Sequence, residues 1–468
     1  MTRPSLHIAL AALSVSMLGL SVQGAEQEEP VKITLHPMAE PTPALKYRLL
    51  PGFMEQHPGN AAVHYGKVTA EEIPFFSSKE IRDNIYYRWQ ETSLDDLRRD
   101  QAHLPSLGAI EDSLRRGALC KYCDWQLPIG EEPYYTMLLP EAQQTREFGR
   151  IMAVRARLQI RDGQFEKAIQ SFQTGYTLGQ HVAEGETLVS GLVGMAICEI
   201  TSRQVFDFVQ QPEAPNLYWA LTILPSPLIQ IDDALDVESV GFELTYPELR
   251  ELASAEHSPE QWSELFHRIA KDIRHLLSDK NSPEPPTPEQ LDERCREMLP
   301  TAQQALIASG LPANEVESKS VHQVALLYSL LVYHENFDDA MKYFQLPYPQ
   351  AIAGIDSVIE RAKLESREII PISERLLQSI SITRSAMART DRRIAILRIL
   401  EALRIYAAGH QGNLPNSLAD IVEVPIPDDP VTGKPFAYRL DGDTAFLQGP
   451  TFRDTPVDYE ITMVRATP

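Results

Sequence analysis

The residues best suited to chemistry lie in one short segment, where a histidine precedes two glutamates. His181, Glu184 and Glu186 fall at the predicted junction between two helices. An imidazole beside carboxylates can act as a general acid and base, because histidine titrates near neutral pH. The same composition is typical of a capped, solvated turn without a catalytic role. Both interpretations of this segment remain open from the sequence.

Aromatic residues form a second set of candidates, spread over three short segments. The members of this set are Trp125, Tyr134, Tyr135, Tyr218 and Trp219. Such rings can make a flat floor for a sugar or a peptide, and they equally well anchor helix packing. We therefore treat these five aromatics as candidate binding residues, together with His181, Glu184 and Glu186.

The chain has four cysteines, of which Cys120 and Cys123 form a C-x-x-C pair. This pair follows a helical pattern, not the strand that precedes it in thioredoxin-like proteins, and Asp124 stands where a haem-attachment motif needs histidine. Cys198 and Cys295 are isolated, so the second half of a zinc site has no match. An exported chain can oxidise its thiols. The pair is therefore predicted to be either a structural disulfide or two thiols, with no bound metal or other cofactor.

Local catalytic motifs are missing from the sequence. It contains no G-x-S-x-G, no H-E-x-x-H, no phosphate-binding P-loop and no G-x-G-x-x-G. We name no catalytic residues and consider an enzyme the less favoured class. A site assembled from distant residues would leave no such motif, so an enzyme with an acidic cleft stays as an alternative.

The element that must position His181 is a predicted helical hairpin over residues 148–180. Apolar residues recur at helical spacing on both sides of Asp162–Gly163, where glycine can close the first helix. Gly163 to Ala168, followed by Phe172, resembles the tetratricopeptide signature, and Asn336 to Ala340 with Phe344 is a weaker echo. The alternative is an ordinary amphipathic helix pair, since no regular 34-residue period links the two copies.

The N-terminus has the pattern of a secretory signal peptide. Arg3 precedes an apolar run over residues 8–22, and small residues follow before Ala25. We expect cleavage after residue 24, a mature chain without a transmembrane span, and a periplasmic or extracellular location. The formal net charge of −22 disfavours binding to nucleic acid or anionic lipid.

Composition suggests six consecutive parts, in a fold that is mainly α. The fold is predicted to be a multi-helix body with tetratricopeptide-like helical hairpins and a small α+β C-terminal unit with a β-hairpin. A strand is also predicted over Ala44–Leu50. The parts are a signal peptide at 1–24, an extended and partly disordered segment at 25–58, a helical domain at 59–278, a Pro-rich acidic linker at 279–290, a further helical region at 291–386 and the C-terminal unit at 387–468.

The C-terminal unit is predicted to be a helix that ends at Gly409, a short capped turn and a β-hairpin. The hairpin has strands at 436–440 and 443–447 around Asp441–Gly442, a favoured two-residue turn. The order helix, G-x-L-P-x-S-L and D-P-x-T-G-K-P-F-x-Y resembles the globular part of the type II secretion major pseudopilin, over about 392–447. This resemblance implies a role in a secretion or envelope assembly.

Four aspartates of this unit are weak candidates for a calcium site, namely Asp428, Asp429, Asp441 and Asp443. The family's calcium loop has no clear match, because residues 448–451 are not acidic. The simpler interpretation is that these aspartates form turns.

The whole chain is also similar to a family of large exported bacterial proteins of unassigned function. The similar phrases include residues 44–51, 59–62, 123–125, 163–168 and 214–221. This resemblance supports export and a helical body and implies no activity. We predict an exported, non-enzymatic interaction or scaffold protein of the cell envelope, whose partner is another envelope protein or a peptide segment. A polysaccharide-acting enzyme and a pseudopilin-like component are the alternatives, and the oligomeric state is not predicted.

Overall fold

The structure is a computed structural model that describes most of the chain. The described residues are 29–71, 78–79, 83, 88–97, 104–252, 257–277, 286–365, 369–370, 372–453 and 455–465. The predicted signal peptide at 1–24 and most of the predicted linker at 279–290 lie outside these ranges.

Helices dominate the described chain, as predicted, and a small sheet lies towards the C-terminus. The α-helices are α1 (Ala61–Glu71), α2 (Trp89–Glu91), α3 (Leu104–Ala118), α4 (Pro140–Arg161), α5 (Phe165–Ala183), α6 (Leu188–Val209), α7 (Tyr218–Thr222), α8 (Asp232–Ser239), α9 (Gly241–Thr245), α10 (Pro259–Leu277), α11 (Pro288–Ala308), α12 (Ala313–Ser318), α13 (Val321–Phe344), α14 (Tyr348–Glu365) and α15 (Ser373–Gly409). The strands are β1 (Val31–Leu35), β2 (His57–Asn60), β3 (Cys120–Tyr122), β4 (Ala437–Asp441), β5 (Thr444–Phe452) and β6 (Thr455–Met463).

The chain divides into two compact units, each assembled from separate segments. The helical unit comprises residues 127–139 and 235–384, and the α+β unit comprises the described residues of 29–126, 140–234 and 385–465. The predicted boundary at 386/387 and the observed division at 384/385 both fall inside α15. Helices on the two sides of the predicted linker, α10 and α11, belong to the same unit. The boundaries of the six consecutive parts predicted from composition therefore do not coincide with those of the two units.

The predicted hairpin at 148–180 is present as a helix pair at the centre of the α+β unit. Helix α4 ends at Arg161, and Gly163 takes a φ of +68°, which glycine adopts without steric cost. Helix α6 packs against both α4 and α5. Residues on every face of α5 and α6 are buried, so these helices form the interior of the unit.

The weaker echo of the tetratricopeptide signature does not begin a second hairpin. Asn336 and Phe337 lie within one continuous helix, α13, and both are buried there. The apolar run at 324–333 belongs to the same helix. Among the helices of the described residues, we find none with the length and apolar character needed to cross a bilayer.

A four-stranded sheet in the α+β unit has the order β1-β6-β5-β4. The predicted hairpin is present as β4 and β5, with Asp441 opposite Thr444 and Gly442–Asp443 as the loop. The first strand, β1, runs parallel to β6 and places Ile33 opposite Ile461, and both side chains are buried. The strand predicted over Ala44–Leu50 was wrong, because those residues form turns and bends. The N-terminal strand lies earlier, where Ile33 and Leu35 alternate inward.

Close contact between α5 and α6 generates a stability prediction. A Cβ atom on Gly179 would lie 2.5 Å from Sγ of Cys198 and 2.8 Å from the carbonyl oxygen of Gly194. Gly179→Ala should therefore lower the free energy of unfolding by about 1–3 kcal/mol, the usual cost of overpacking. The matched control is Gly66→Ala on α1, where a Cβ meets nothing within 4 Å. That change should raise the free energy of unfolding by about 0.5–1 kcal/mol. Urea denaturation measures the free energy of unfolding of both variants. Equal changes in the two variants would contradict the close contact between α5 and α6.

Candidate functional site

The candidate site is a surface groove in the α+β unit, with a volume of about 520 Å³. Its wall is the turn that leads into β4, and its floor crosses the adjoining ends of β4, β5 and β6. The lining residues are Asp429, Thr432, Lys434, Pro435, Phe436, Ala437, Gln448, Gly449, Pro450, Thr451, Pro456, Val457 and Asp458. This volume falls in the range of about 300–1,000 Å³ that is usual for ligand sites.

Strand register places the floor residues side by side. Ala437 is opposite Gln448, and Gln448 is opposite Asp458, so the three form a row across the sheet. The amide of Gln448 donates to the carboxylate of Asp458 over 3.0 Å. The floor therefore offers a small apolar position beside an amide and a carboxylate.

The wall of the groove is held by a buried ion pair. Arg392 of α15 donates to the carboxylate of Asp429 over 2.8 Å and to the carbonyl of Pro450 over 2.9 Å. The other carboxylate oxygen of Asp429 accepts from the backbone of Val431. The two charged side chains are only 4% and 1% exposed. One arginine thus joins the wall, the β5–β6 end of the floor and the helix beneath them.

Asp429 therefore has a structural partner, and so do two of the other three calcium candidates. Asp441 pairs with Arg439 and Asp443 with Arg465. Asp428 is exposed. Within the described ranges, one group of three or more residues has donor atoms close enough for a metal ion, and it contains none of these aspartates. The structure does not bring the four together around a common point.

The eight predicted binding residues do not form a single floor. Tyr134 and Tyr135 pack edge to face in the helical unit. The other six lie in the α+β unit, where Tyr218 packs edge to face on Trp219, and Trp219 donates to Glu40. Glu186 is exposed at the turn before α6, with a φ of +53°. The aromatics described here therefore have separate packing and hydrogen-bond partners.

Trp125 and His181 belong to a buried cluster under α1. Trp125 stacks on Tyr65 and donates its indole N–H to the carbonyl of His181 over 2.7 Å. The hydroxyl of Tyr65 lies 2.9 Å from Nδ1 of the imidazole. His181 is 4% exposed, and burial lowers its pKa to about 4. The histidine is thus a neutral core residue at physiological pH, unsuited to exchange protons with a substrate in solvent.

The C-x-x-C pair lies beside this cluster. Glu184 accepts from the backbone N–H of Cys123 over 2.6 Å, which ties the turn after α5 to the end of β3. Cys120 and Cys123 are buried free thiols, so the structure contains the second of the two predicted alternatives. Burial raises the pKa of the Cys123 thiol, and this keeps it protonated and weakly nucleophilic.

Among the described residues of the helical unit, the carboxyl group of Glu238 on α8 has a strongly shifted pKa. It is fully buried and accepts from the hydroxyl of Tyr134 over 2.9 Å. Burial raises its pKa to about 7, although the hydrogen bond from Tyr134 acts in the opposite direction and lowers the pKa. Sequence reasoning missed this residue, because a lone glutamate in an acidic helix carries no local signal. Glu238 does not line the groove, so the groove is not an acidic cleft built around it.

Comparisons with protein-family models, curated proteins and solved structures found no match for this chain. The function is therefore argued from the groove and its surroundings.

The ion pair under the groove wall should behave as a coupled unit. Arg392→Met leaves the buried Asp429 carboxylate without its cation and should cost about 3–5 kcal/mol of unfolding free energy. Adding Asp429→Asn removes the unpaired charge, so the double variant should lose clearly less than the sum of the single changes. A double-mutant cycle by urea denaturation measures the coupling. Strict additivity would show that the pair does not interact.

The shift at His181 predicts a pH dependence of stability. The unfolded chain binds a proton below the ordinary pKa of 6.5, whereas the folded protein binds it only near pH 4. Stabilisation by the neutral imidazole is thus present above pH 6.5 and lost as the pH falls towards 4. Relative to His181→Gln, the wild type should lose about 3 kcal/mol of unfolding free energy across this window. Urea titrations at each pH give the difference, and a constant difference would contradict a buried neutral histidine.

Proposed function

We propose that this protein is an exported, non-enzymatic interaction protein of the cell envelope. Its task is to hold an extended segment of a partner protein in the groove of the α+β unit. The observation that carries the proposal is the groove itself, with its row of Ala437, Gln448 and Asp458 under a rigid wall. The signal-peptide pattern predicted at the N-terminus supports the location.

The composition of the groove favours a peptide over a charged small molecule. Pro435, Pro450 and Pro456 are exposed around it and supply apolar surface without N–H donors. Phe436 and Val457 also line the groove, and both side chains are buried. Such a mixture of apolar surface with a few polar groups is typical of sites that orient a bound ligand.

The helical hairpin at 148–180 is a less suitable recognition surface than the groove. Helical-repeat proteins bind partners on an exposed concave face. Both α5 and α6 are buried on every side here, so they support the unit from within. We therefore assign the tetratricopeptide-like hairpin a role in packing the interior of the unit and not in binding a partner.

A pseudopilin-like role in a secretion assembly is the second candidate. It is favoured by the packing of α15 on the sheet, where Arg393 donates to the hydroxyl of Tyr459 over 3.1 Å. A helix packed on a small sheet is the arrangement that the C-terminal resemblance implies. The same experiment distinguishes the two candidates through the identity of the partner.

Cross-linking of the tagged full chain in its native envelope, followed by mass spectrometry, tests the proposal. One dominant partner should be linked to residues 429–458. Ala437→Arg places a long cationic side chain in the groove and should lower the yield of that partner roughly tenfold, equivalent to about 1.4 kcal/mol. Val422→Arg is the matched control, because Val422 is 86% exposed and does not line the groove.

The control should leave the yield unchanged. Links centred on residues 148–210, or no dominant partner, would reject the groove as the binding site. A partner that is itself a component of a secretion pilus would select the pseudopilin-like role.

A further inference from the structure

Three side chains of the helical unit converge from three helices. His267 comes from α10, Asp292 from α11 and His322 from the first turn of α13. Nε2 of His267 lies 3.0 Å from Oδ1 of Asp292, and Nε2 of His322 lies 2.8 Å from the same oxygen. The three donor atoms all lie within 4.8 Å of one another. Sequence reasoning missed this group, because its members are 25 and 30 residues apart and follow no ligand spacing.

The tautomer of His267 is fixed by its other ring nitrogen. Nδ1 lies 2.8 Å from the carbonyl oxygen of Ser263, one turn earlier in α10. A carbonyl only accepts hydrogen bonds, so Nδ1 carries the proton and Nε2 of a neutral ring presents a lone pair. A ligating histidine almost always donates its second ring N–H in this way.

That lone pair has no hydrogen-bond partner. Nε2 of His267 is buried and makes no hydrogen bond within the described chain, although it faces the Asp292 carboxylate. A lone pair against a carboxylate oxygen at 3.0 Å is repulsive unless a positive charge lies between them. A single cation bound by all three groups removes this conflict.

The spacing of the donors suits a transition-metal ion. Ligands about 2.1 Å from one ion, at angles of about 90–109°, lie about 3.0–3.4 Å from each other. The observed 2.8 and 3.0 Å need only a few tenths of an ångström of adjustment. Two imidazoles and one carboxylate suit zinc and its first-row neighbours, whereas magnesium and calcium prefer oxygen ligands.

The three side chains of the site are partly exposed to solvent. The side chains of His267, Asp292 and His322 are 27%, 28% and 18% exposed. On α11, Glu289 adds a carboxylate near Asp292 and His267, and Arg296 adds a positive charge near Asp292. A three-ligand site with an accessible side leaves a coordination position for water or a partner group.

We propose that His267, Asp292 and His322 bind one divalent transition-metal ion, for which Zn²⁺ is the natural probe. The bound ion joins α10, α11 and α13 and retains an exchangeable position. This site is independent of the groove and of the function proposed for it.

Calorimetric titration of the full mature chain with Zn²⁺ tests the site, after treatment with a chelator and with a reductant present to keep the thiols reduced. Wild type should bind one ion tightly, and its melting temperature should rise with the Zn²⁺ concentration. His267→Gln, His322→Gln and Asp292→Asn should each weaken binding by more than the roughly 10–100-fold that outer-shell substitutions cost.

The matched control is His334→Gln, which changes another partly exposed histidine of α13 that pairs with a carboxylate, Glu243. It should leave Zn²⁺ affinity unchanged, and circular dichroism confirms that each variant is folded. Visible absorption of bound Co²⁺ in wild type, lost in the triad variants, supplies a second readout. No saturable binding by wild type, or full binding by the folded triad variants through Cys120 and Cys123, would overturn the proposal.

Discussion

The α+β unit depends on one fully buried ion pair, Glu401 with Arg404 on α15. Both side chains are 0% exposed, and their charged atoms are 2.8 Å apart. Such a pair is tolerated only when its remaining donors and acceptors are satisfied. Glu401 accepts from Asn216 and from the backbone of Leu217, and Arg404 donates to the carbonyls of His36 and Ala214. Two distant loops are thereby fixed to one turn of α15.

That constraint explains how the sheet acquires its first strand. His36 directly follows β1, so the hydrogen bond from Arg404 positions the end of β1 over α15. Val464, the residue after β6, then donates to the carbonyl of Leu35, which continues the parallel pairing. The same helix carries Arg392, which holds the groove wall. Buried charges at three positions of α15 thus organise the N-terminal strand, the loop at residues 214–217 and the groove.

Local patterns predicted the elements whose stabilising contacts are close in sequence. The hairpin α4–α5 and the strands β4 and β5 were predicted because periodicity and turn residues lie within the segments themselves. The pairing of Ile33 with Ile461 was not, since no local signal links residues more than 400 positions apart. His267, Asp292 and His322 were missed for the same reason. The sequence left open whether the aromatics bind a ligand or anchor helix packing. That choice could not be made without knowing which faces the helices cover.

Burial also separates the polar groups that could meet a ligand from those that only support the fold. His181 and Glu238 have the chemistry expected of acid–base catalysts, yet both are enclosed by neighbouring side chains and have strongly shifted pKa values. Perturbed groups of this kind mark functional sites only when a cleft reaches them. By contrast, the side chains of Gln448 and Asp458 in the groove, and those of His267, Asp292 and His322, are at least partly exposed to solvent. The sheet face and the junction of α10, α11 and α13 are therefore the two places at which we propose binding.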